Sequence, residues 1–298
     1  MTLGEQPADL SPRALETVIE RAAARLVDDQ RADGHWSYEL EADATIPAEY
    51  IVLNHFLGEI DDAREAKLAR YLRRQQLGDG GWPLFQKGQA NVSASVKAYF
   101  ALKLTGDDID APHMRRARAA ILKLGGLPAC NVFTRITLAF FGIAPWRATP
   151  VMRVEVMFAP RWFPLHVANV SYWSRTVMIP LLVLAARRAR AKNPRGVGLE
   201  ELMPADRAAR RWHLRNPTGH WLGTLMIALD RVARPFEPLI PRKITDKAIA
   251  RAMAFVTERL NGEDGLGGIF PAMANALMAF RVLGYPADDS RVIIARKA

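Results

Sequence analysis

The 298-residue chain is half hydrophobic, carries a formal net charge of +10 and contains one cysteine. Length and composition allow one large or two modest helical domains with a sizeable core. The single thiol, Cys130, excludes an internal disulfide, makes a metal-thiolate centre a poor reading, and fits a small buried apolar residue in a reducing compartment.

Residues 1–10 have neither a basic n-region nor an apolar h-region, so no cleaved secretory signal is expected and a cytoplasmic location is. Asp9 or Ser11 can cap a first helix from Pro12 to Val27, where Leu15, Val18, Ile19, Ala22 and Leu26 recur at the helical period. It stops in Gln30, Gly34 and Trp36. An acidic approach through Glu39, Glu41 and Asp43 then enters a strongly apolar helix that Pro47 can start and Gly58 can end. Such a helix is expected to be buried. Glu49, near its start, must then be paired, protonated or aimed at a polar cavity, unless it merely partners the helix dipole.

The run from Lys67 to Trp82 organises the rest. Leu68, Tyr71 and Leu72 sit at helical spacing, Gly78 and Gly80 can end the helix with positive φ, and Trp82 follows at once. Gln76 can reach the orphan carbonyls or amides of a helix end, and the indole can shield that bond from water. Gln76, Gly80 and Trp82 repeat the offsets of Gln30, Gly34 and Trp36, and a third copy from Phe255 to Gly267 keeps the helix and the Asp264-Gly265 turn without Gln or Trp. Recurrence of a helix-turn unit marks a repeat architecture of paired helices.

Further helices are predicted from Val92 to Leu104, His113 to Lys123 and Val132 to Phe141, with a tight turn at Gly125–Asn131 and no run that reads as strand. From Pro145 to Trp173 prolines break the pattern and Trp146, Phe158, Trp162, Phe163, Tyr172 and Trp173 crowd together. These rings are core by default, but an aromatic wall also suits a hydrocarbon or a cation developing on one. The apolar run Thr176–Ala186 falls short of the ~20 residues that span a bilayer and holds Pro180. The basic tract Arg187–Arg195 reads as a solvated helix end.

Apolar patches at Trp221–Leu229 and Phe236–Ile240, bracketed by the basic run 207–215 and by Arg242 and Lys243, suit either a protein dipping into one leaflet or an ordinary buried helix. Helices Asp246–Leu260 and Met273–Leu283 follow. A last one, Ser290–Ala298, reads as an interrupted repeat. The basic balance favours anionic surfaces. With no nucleic-acid motif beside it, a membrane surface is preferred to nucleic acid.

These residues together resemble the N-terminal half of the squalene-hopene cyclase family, bacterial triterpene cyclases related to oxidosqualene cyclases. The Gln-x3-Gly-x-Trp units match the family's QW repeat. Ala48–Tyr50, Lys97–Lys103, Asn131–Arg135, Arg161–Pro164, Ser171–Arg175 and Asp264–Asn275 match other segments of the family, in order. The resemblance implies an all-α fold of stacked α/α barrels (toroids) of helical hairpins. Residues 1–36 would belong to the catalytic barrel of a full cyclase and 37–298 to the inserted barrel.

It also implies a substrate cavity drawing on Trp173, Phe133, Ile269, Pro271, Phe270 and Glu49. Lys97 stands where some members have Glu, Asn131 where some have Arg, Phe270 where some have Gln, and Asn275 where some have Tyr. The family's alkene-protonating Asp-x-Asp-Asp-Thr motif is absent from the 298 residues. Asp61-Asp62-Ala-Arg-Glu65 has the look of the metal-binding motif of ionising prenyl synthases, yet its place after a Gly-ended helix reads as solvated loop, so no metal and no cofactor is expected.

The implied activity is cyclisation of squalene, or a similar linear isoprenoid, to hopene or hopanol in hopanoid biosynthesis. The acid would come from the C-terminal half, in cis or in trans, and the chain alone would be inactive. The implied setting is the cytoplasmic side of the inner membrane, peripheral or monotopic, with a homodimer as a further expectation. Half of a class II diterpene cyclase and a non-catalytic isoprenoid- or membrane-binding α/α barrel are the alternatives.

Overall fold

Ser11 starts the first helix: its hydroxyl accepts from the Ala14 N–H at 3.2 Å, and Pro12 has its φ already near the helical value. The computed structural model describes residues 11–36, 43–163, 166–208, 210–214, 216, 219–262 and 265–298. Readings made above at residues 1–10, including Asp9, and at Glu39, Glu41, Pro164, Arg215 and Asp264 lie outside them. The chain divides into two units, Met1–Ala42 and Asp43–Ala298. In the first, α1 (Pro12–Asp29) is the one helix among the described residues, and Leu15, Val18, Ile19 and Leu26 on it are exposed.

Among its described residues the second unit is all-α in its regular structure apart from one small ladder. Its helices are α2 (Thr45–Leu57), α3 (Asp62–Arg74), α4 (Val92–Leu104), α5 (Pro112–Lys123), α6 (Val132–Phe140), α7 (Tyr172–Ala186), α8 (Trp221–Ala233), α9 (Arg242–Glu258), α10 (Phe270–Val282) and α11 (Ser290–Lys297). Asp61, Asn91, Asn131, Ser171 and Asp289 each cap the helix that follows by accepting first-turn N–H groups. Gly58, at φ 67°, ends α2 in the left-handed conformation.

α2 is the shared wall of two cores. Ala48, Ile51 and Val52 pack with α3, α4 and α5, while Leu53, Phe56 and Leu57 pack with α6, α7, α9 and α10. Burial of each such Leu, Ile or Phe is worth roughly 1.5–3 kcal/mol. α10 lies against α7, α11 and α2, and α9 against α7.

Several elements depart from the sequence reading. The third helix-turn copy contains a ladder rather than a bare turn, β1 (Leu260–Asn261) antiparallel to β2 (Gly265–Leu266). Two residues per strand carry no alternation that a sequence pattern could display. Asp61–Glu65 is not a solvated loop: the Asp61 carboxylate accepts from the Arg64 N–H at 3.0 Å, α3 begins at Asp62, and Glu65 is buried. α9 starts at Arg242 rather than Asp246, because Pro241 serves as its N-cap.

The tract after α7 is no free helix end either. The backbone amides of Ala191, Lys192 and Asn193 donate to the carbonyls of Phe140, Phe56 and His55, which straps α6 and α2 together. Cys130 is buried, as its small apolar character implied, and burial pushes its thiol up to about 12. The aromatic insert runs through short 3-10 turns. Trp146 packs edge-on to Phe140, but Trp162 is 80% exposed and Phe158, Tyr172 and Trp173 are exposed too, so those rings are not core.

Candidate functional site

Helices α2, α7 and α10 are apolar on nearly every side, so each must bury two faces. One face of each goes to the core, and the other borders a cavity of about 380 Å³ closed by α4 and α6. Val52, Leu53, Phe56, Ile136, Phe140, Leu181 and Met278 make its wall hydrocarbon. Phe133, Phe141 and Phe270 add ring faces and edges. Such a volume and lining suit a flexible apolar ligand, and the rings can stabilise positive charge on it.

The polar lining is sparse: Thr45, Glu49, Lys97, Asn131, Thr137 and Asn275. Lys97 of α4 donates to Glu49 Oε1 of α2, which resolves how the buried helix tolerates a carboxylate. Both side chains are mostly buried, 11% and 22% exposed, so water screens this pair less than a surface one. Asn131 is committed elsewhere. Its Oδ1 accepts from Thr134 N at 2.9 Å to cap α6, and its own N–H donates to Ser93 Oγ at 2.9 Å. Asn275 Nδ2 donates to the Val177 carbonyl at 3.3 Å and ties α10 to α7 across the cavity wall.

Of the cavity residues expected from sequence, Glu49, Phe133, Phe270 and Pro271 line this space. Trp173 and Ile269 are not among its lining residues. Trp173 stands in the first turn of α7, 62% exposed, and Ile269 is the extended residue before α10, packed on the core. Phe56, Phe140, Leu181 and Met278 also line it and were not singled out from the sequence. The available signal was the lack of a polar face on their helices, which says that two faces are covered without saying by what.

The Gln/Gly/Trp residues form local units, and Gln76, Gly80 and Trp82 are not among the lining residues of the cavity. In the second, Trp82 is fully buried and its indole N–H donates at 2.8 Å to the Leu72 carbonyl in the last turn of α3, which also accepts the Gln75 N–H at 3.2 Å. Gln76 Nε2 donates to the Gly80 and His113 carbonyls, both at 2.9 Å, linking the turn to α5. The indole and the Gln75 N–H therefore share the helix-end carbonyl, and the Gln76 side-chain amide serves the loop. Gly80 is at φ 93°, and a Cβ there would lie 2.5 Å from the Arg116 carbonyl oxygen.

The first unit repeats the bonds on its own helix. Trp36 Nε1 donates to Leu26 O at 2.6 Å, Gln30 Nε2 to Gly34 O at 2.8 Å, and Gly34 is at φ 92°.

A second buried polar group lies at the far end of α2. His55 Nε2 is 3.1 Å from Glu65 Oε1, and Arg195 bonds Glu65, Asp62 and the Leu104 carbonyl. Burial pushes Glu65 up to about 7 against the opposing Arg195 charge, and lowers His55 to about 4 with Arg195 adding to the effect. This group does not line the cavity.

With an apolar chamber, one ion pair on its wall and two Gln/Gly/Trp units of matching geometry in place, comparison with known proteins decides the family. The sequence profile of the squalene-hopene cyclase N-terminal domain matches residues 19–298. The chain belongs to that family.

It is 48% identical to a probable squalene-hopene cyclase of Sinorhizobium fredii over 97% of this chain and 45% of the relative. It is 51% identical to the squalene-hopene cyclase of Bradyrhizobium diazoefficiens over 91% of this chain and 41% of the relative. The squalene-hopene cyclase of Alicyclobacillus acidocaldarius is 32% identical over 91% and 42%. The chain thus spans less than half the length of the curated relatives it matches, and it matches their N-terminal part.

Proposed function

We propose that this chain supplies one wall of the reaction chamber of a squalene-hopene cyclase. The observation that carries the reading is the 380 Å³ cavity, whose hydrocarbon and phenyl lining is interrupted on one side by the Lys97–Glu49 pair. A linear triterpene needs such a surface to fold against, and carbocations formed along it are stabilised by ring faces while water is kept away. Trp173 and Ile269 join the wall in the complete enzyme, where further chain covers the exposed indole.

Cyclisation begins with protonation of a terminal alkene, and an Asp-x-Asp-Asp-Thr segment elsewhere in the full cyclase supplies that acid. The reaction is then an isomerisation to hopene, with water addition to hopanol as its branch. Residues 1–36 belong to the catalytic α/α barrel and 37–298 to the inserted one. The exposed apolar residues of α8, Trp221, Leu225, Leu229 and Val232, support peripheral contact with the cytoplasmic side of the inner membrane.

The test is complementation. The chain alone, incubated with squalene, yields no pentacyclic product by gas chromatography and mass spectrometry. Joined to the C-terminal segment of the Bradyrhizobium relative, it yields hopene. Turnover by the chain alone places the acid within these 298 residues and overturns the assignment. Squalene binding without any restored turnover favours the second reading, a non-catalytic isoprenoid-binding domain, for which the cavity alone suffices.

A further inference from the structure

Away from the cyclisation cavity, a second cleft of about 420 Å³ lies between the loop Pro145–Met152, the end of α7 and the residue after α8. Three arginines line it, Arg147, Arg188 and Arg234, and no acidic side chain does. Arg234 is fixed in place. Its Nε and an Nη hold Asp230 Oδ2 at 2.9 and 2.8 Å, and an Nη also donates to the Thr149 carbonyl at 2.6 Å. The other oxygen of Asp230 accepts from the Val151 N–H. That carboxylate is therefore spent on holding Arg234 and the loop together.

Arg147 and Arg188 have no such partner. Among the described residues neither guanidinium takes part in an ion pair or a side-chain hydrogen bond, although the chain pairs many of its other arginines. Arg188 occupies an unusual position as well. It follows α7 with φ 45°, its N–H donating to the Ala185 carbonyl at 2.9 Å, in the left-handed place where glycine is the common choice. With the Arg234 charge balanced by Asp230, Arg147 and Arg188 bring two unpaired like charges to one concave polar space, which an anion would neutralise. Planar guanidinium groups meet phosphate oxygens with paired N–H donors.

We propose that this cleft binds a phosphate group through Arg147 and Arg188, with Arg234 as its fixed wall. Two sources share that chemistry: the headgroup of an anionic phospholipid and a free phosphate. The exposed apolar side chains of α8 lead up the helix to Arg234, so a headgroup in the cleft would leave acyl chains an apolar face to follow. The site is separate from the cyclisation cavity and does not rest on the cyclase reading.

The test compares Arg147→Gln with Arg188→Gln in one variant against Arg70→Gln with Arg115→Gln, exposed arginines of α3 and α5, in another. Both variants of the 298-residue chain lose the same charge, and melting curves check that both fold. Flotation uses vesicles of phosphatidylcholine with and without phosphatidylglycerol. Thermal melts use inorganic phosphate against chloride at equal ionic strength.

For a headgroup source, the gain in affinity from phosphatidylglycerol falls roughly tenfold or more in the cleft variant and little in the other. For a free phosphate, phosphate raises the melting temperature of the native chain and of the Arg70/Arg115 variant but not of the cleft variant. Equal losses in both variants, or no response to either phosphate source, overturn the proposal. Binding to pure phosphatidylcholine reads the apolar face instead, and product formation reads the cyclase assignment, so each failure is told apart.

Discussion

The indole N–H of Trp82 donates to the carbonyl oxygen of Leu72, ten residues back and 2.8 Å away, and both ends of this bond are out of reach of water. The bond closes the last turn of α3 and fixes the entry to α4, because Ser95 Oγ holds the Trp82 N–H as well. Trp82→Phe keeps the ring and leaves the Leu72 carbonyl only its 3.2 Å bond from the Gln75 N–H, so the loss should be that of one hydrogen bond, about 0.5–1.5 kcal/mol. Urea denaturation followed by circular dichroism reads it. A loss within error would mean that the indole acts by volume alone.

Gly80 and Gly106 separate two costs of replacing glycine. Both have positive φ, but a Cβ at Gly106 meets nothing within 4 Å, while at Gly80 it meets the Arg116 carbonyl oxygen at 2.5 Å. Gly106→Ala should lose about 1–2 kcal/mol from the left-handed backbone alone. Gly80→Ala should lose distinctly more, since α5 must shift. Equal losses, measured by the same denaturation, would show that α5 yields freely.

Lys97→Met leaves the Glu49 carboxylate facing an apolar cavity and should destabilise the chain by about 1.5–3 kcal/mol, as for hydrogen bonds to charged groups. Pairing it with Glu49→Gln removes the stranded charge, so the double variant should recover part of that loss. A double-mutant cycle should return a coupling of about 0.5–3 kcal/mol. Additive losses would mean that the two side chains do not interact in solution.

His55 and Glu65 share one proton, and this sets a pH dependence. Between pH 4.5 and 6.5 the folded pair holds the proton on Glu65, whereas the unfolded chain holds it on a histidine of ordinary pKa. The proton counts match, so the pair leaves stability level there. Below pH 4.5 the unfolded chain binds a second proton first, and stability falls as pH drops toward 4. Above 6.5 it releases its proton before Glu65 does, and stability falls as pH rises to about 7.

Glu65→Gln leaves only His55, neutral when folded. Relative to the native chain, stability should then fall by about 1.4 kcal/mol per pH unit as pH drops below 6.5 toward 4. Parallel stability profiles for the two proteins between pH 4.5 and 6.5 would contradict the shared proton.

The sequence alone determined the helical class, most helix limits and the bonds that the two Gln/Gly/Trp units share, because these depend on neighbours within about ten residues, whereas the Gln76 bond to the His113 carbonyl does not. Apolar spacing, caps such as Ser11 and Asn131, and the glycine stop at Gly58 act through bonds along one stretch of chain, whereas α3 ends at Arg74 on Gln75 rather than at the expected Gly78 or Gly80. Glu49 could be marked as a carboxylate on an apolar helix that is paired, protonated, aimed at a polar cavity or set against the helix dipole.

Only the tertiary structure decided that the partner is Lys97, that Glu65 is buried against His55, and that Arg147 and Arg188 share a cleft with Arg234. It also decided which apolar side chains of α2, α7 and α10 face the cavity and which face the core. Hydrophobic burial has no direction, so a helix apolar on every side says that it is covered and leaves open by what. Charge pairing likewise depends on distance in space, and 48 residues of sequence separate Glu49 from Lys97.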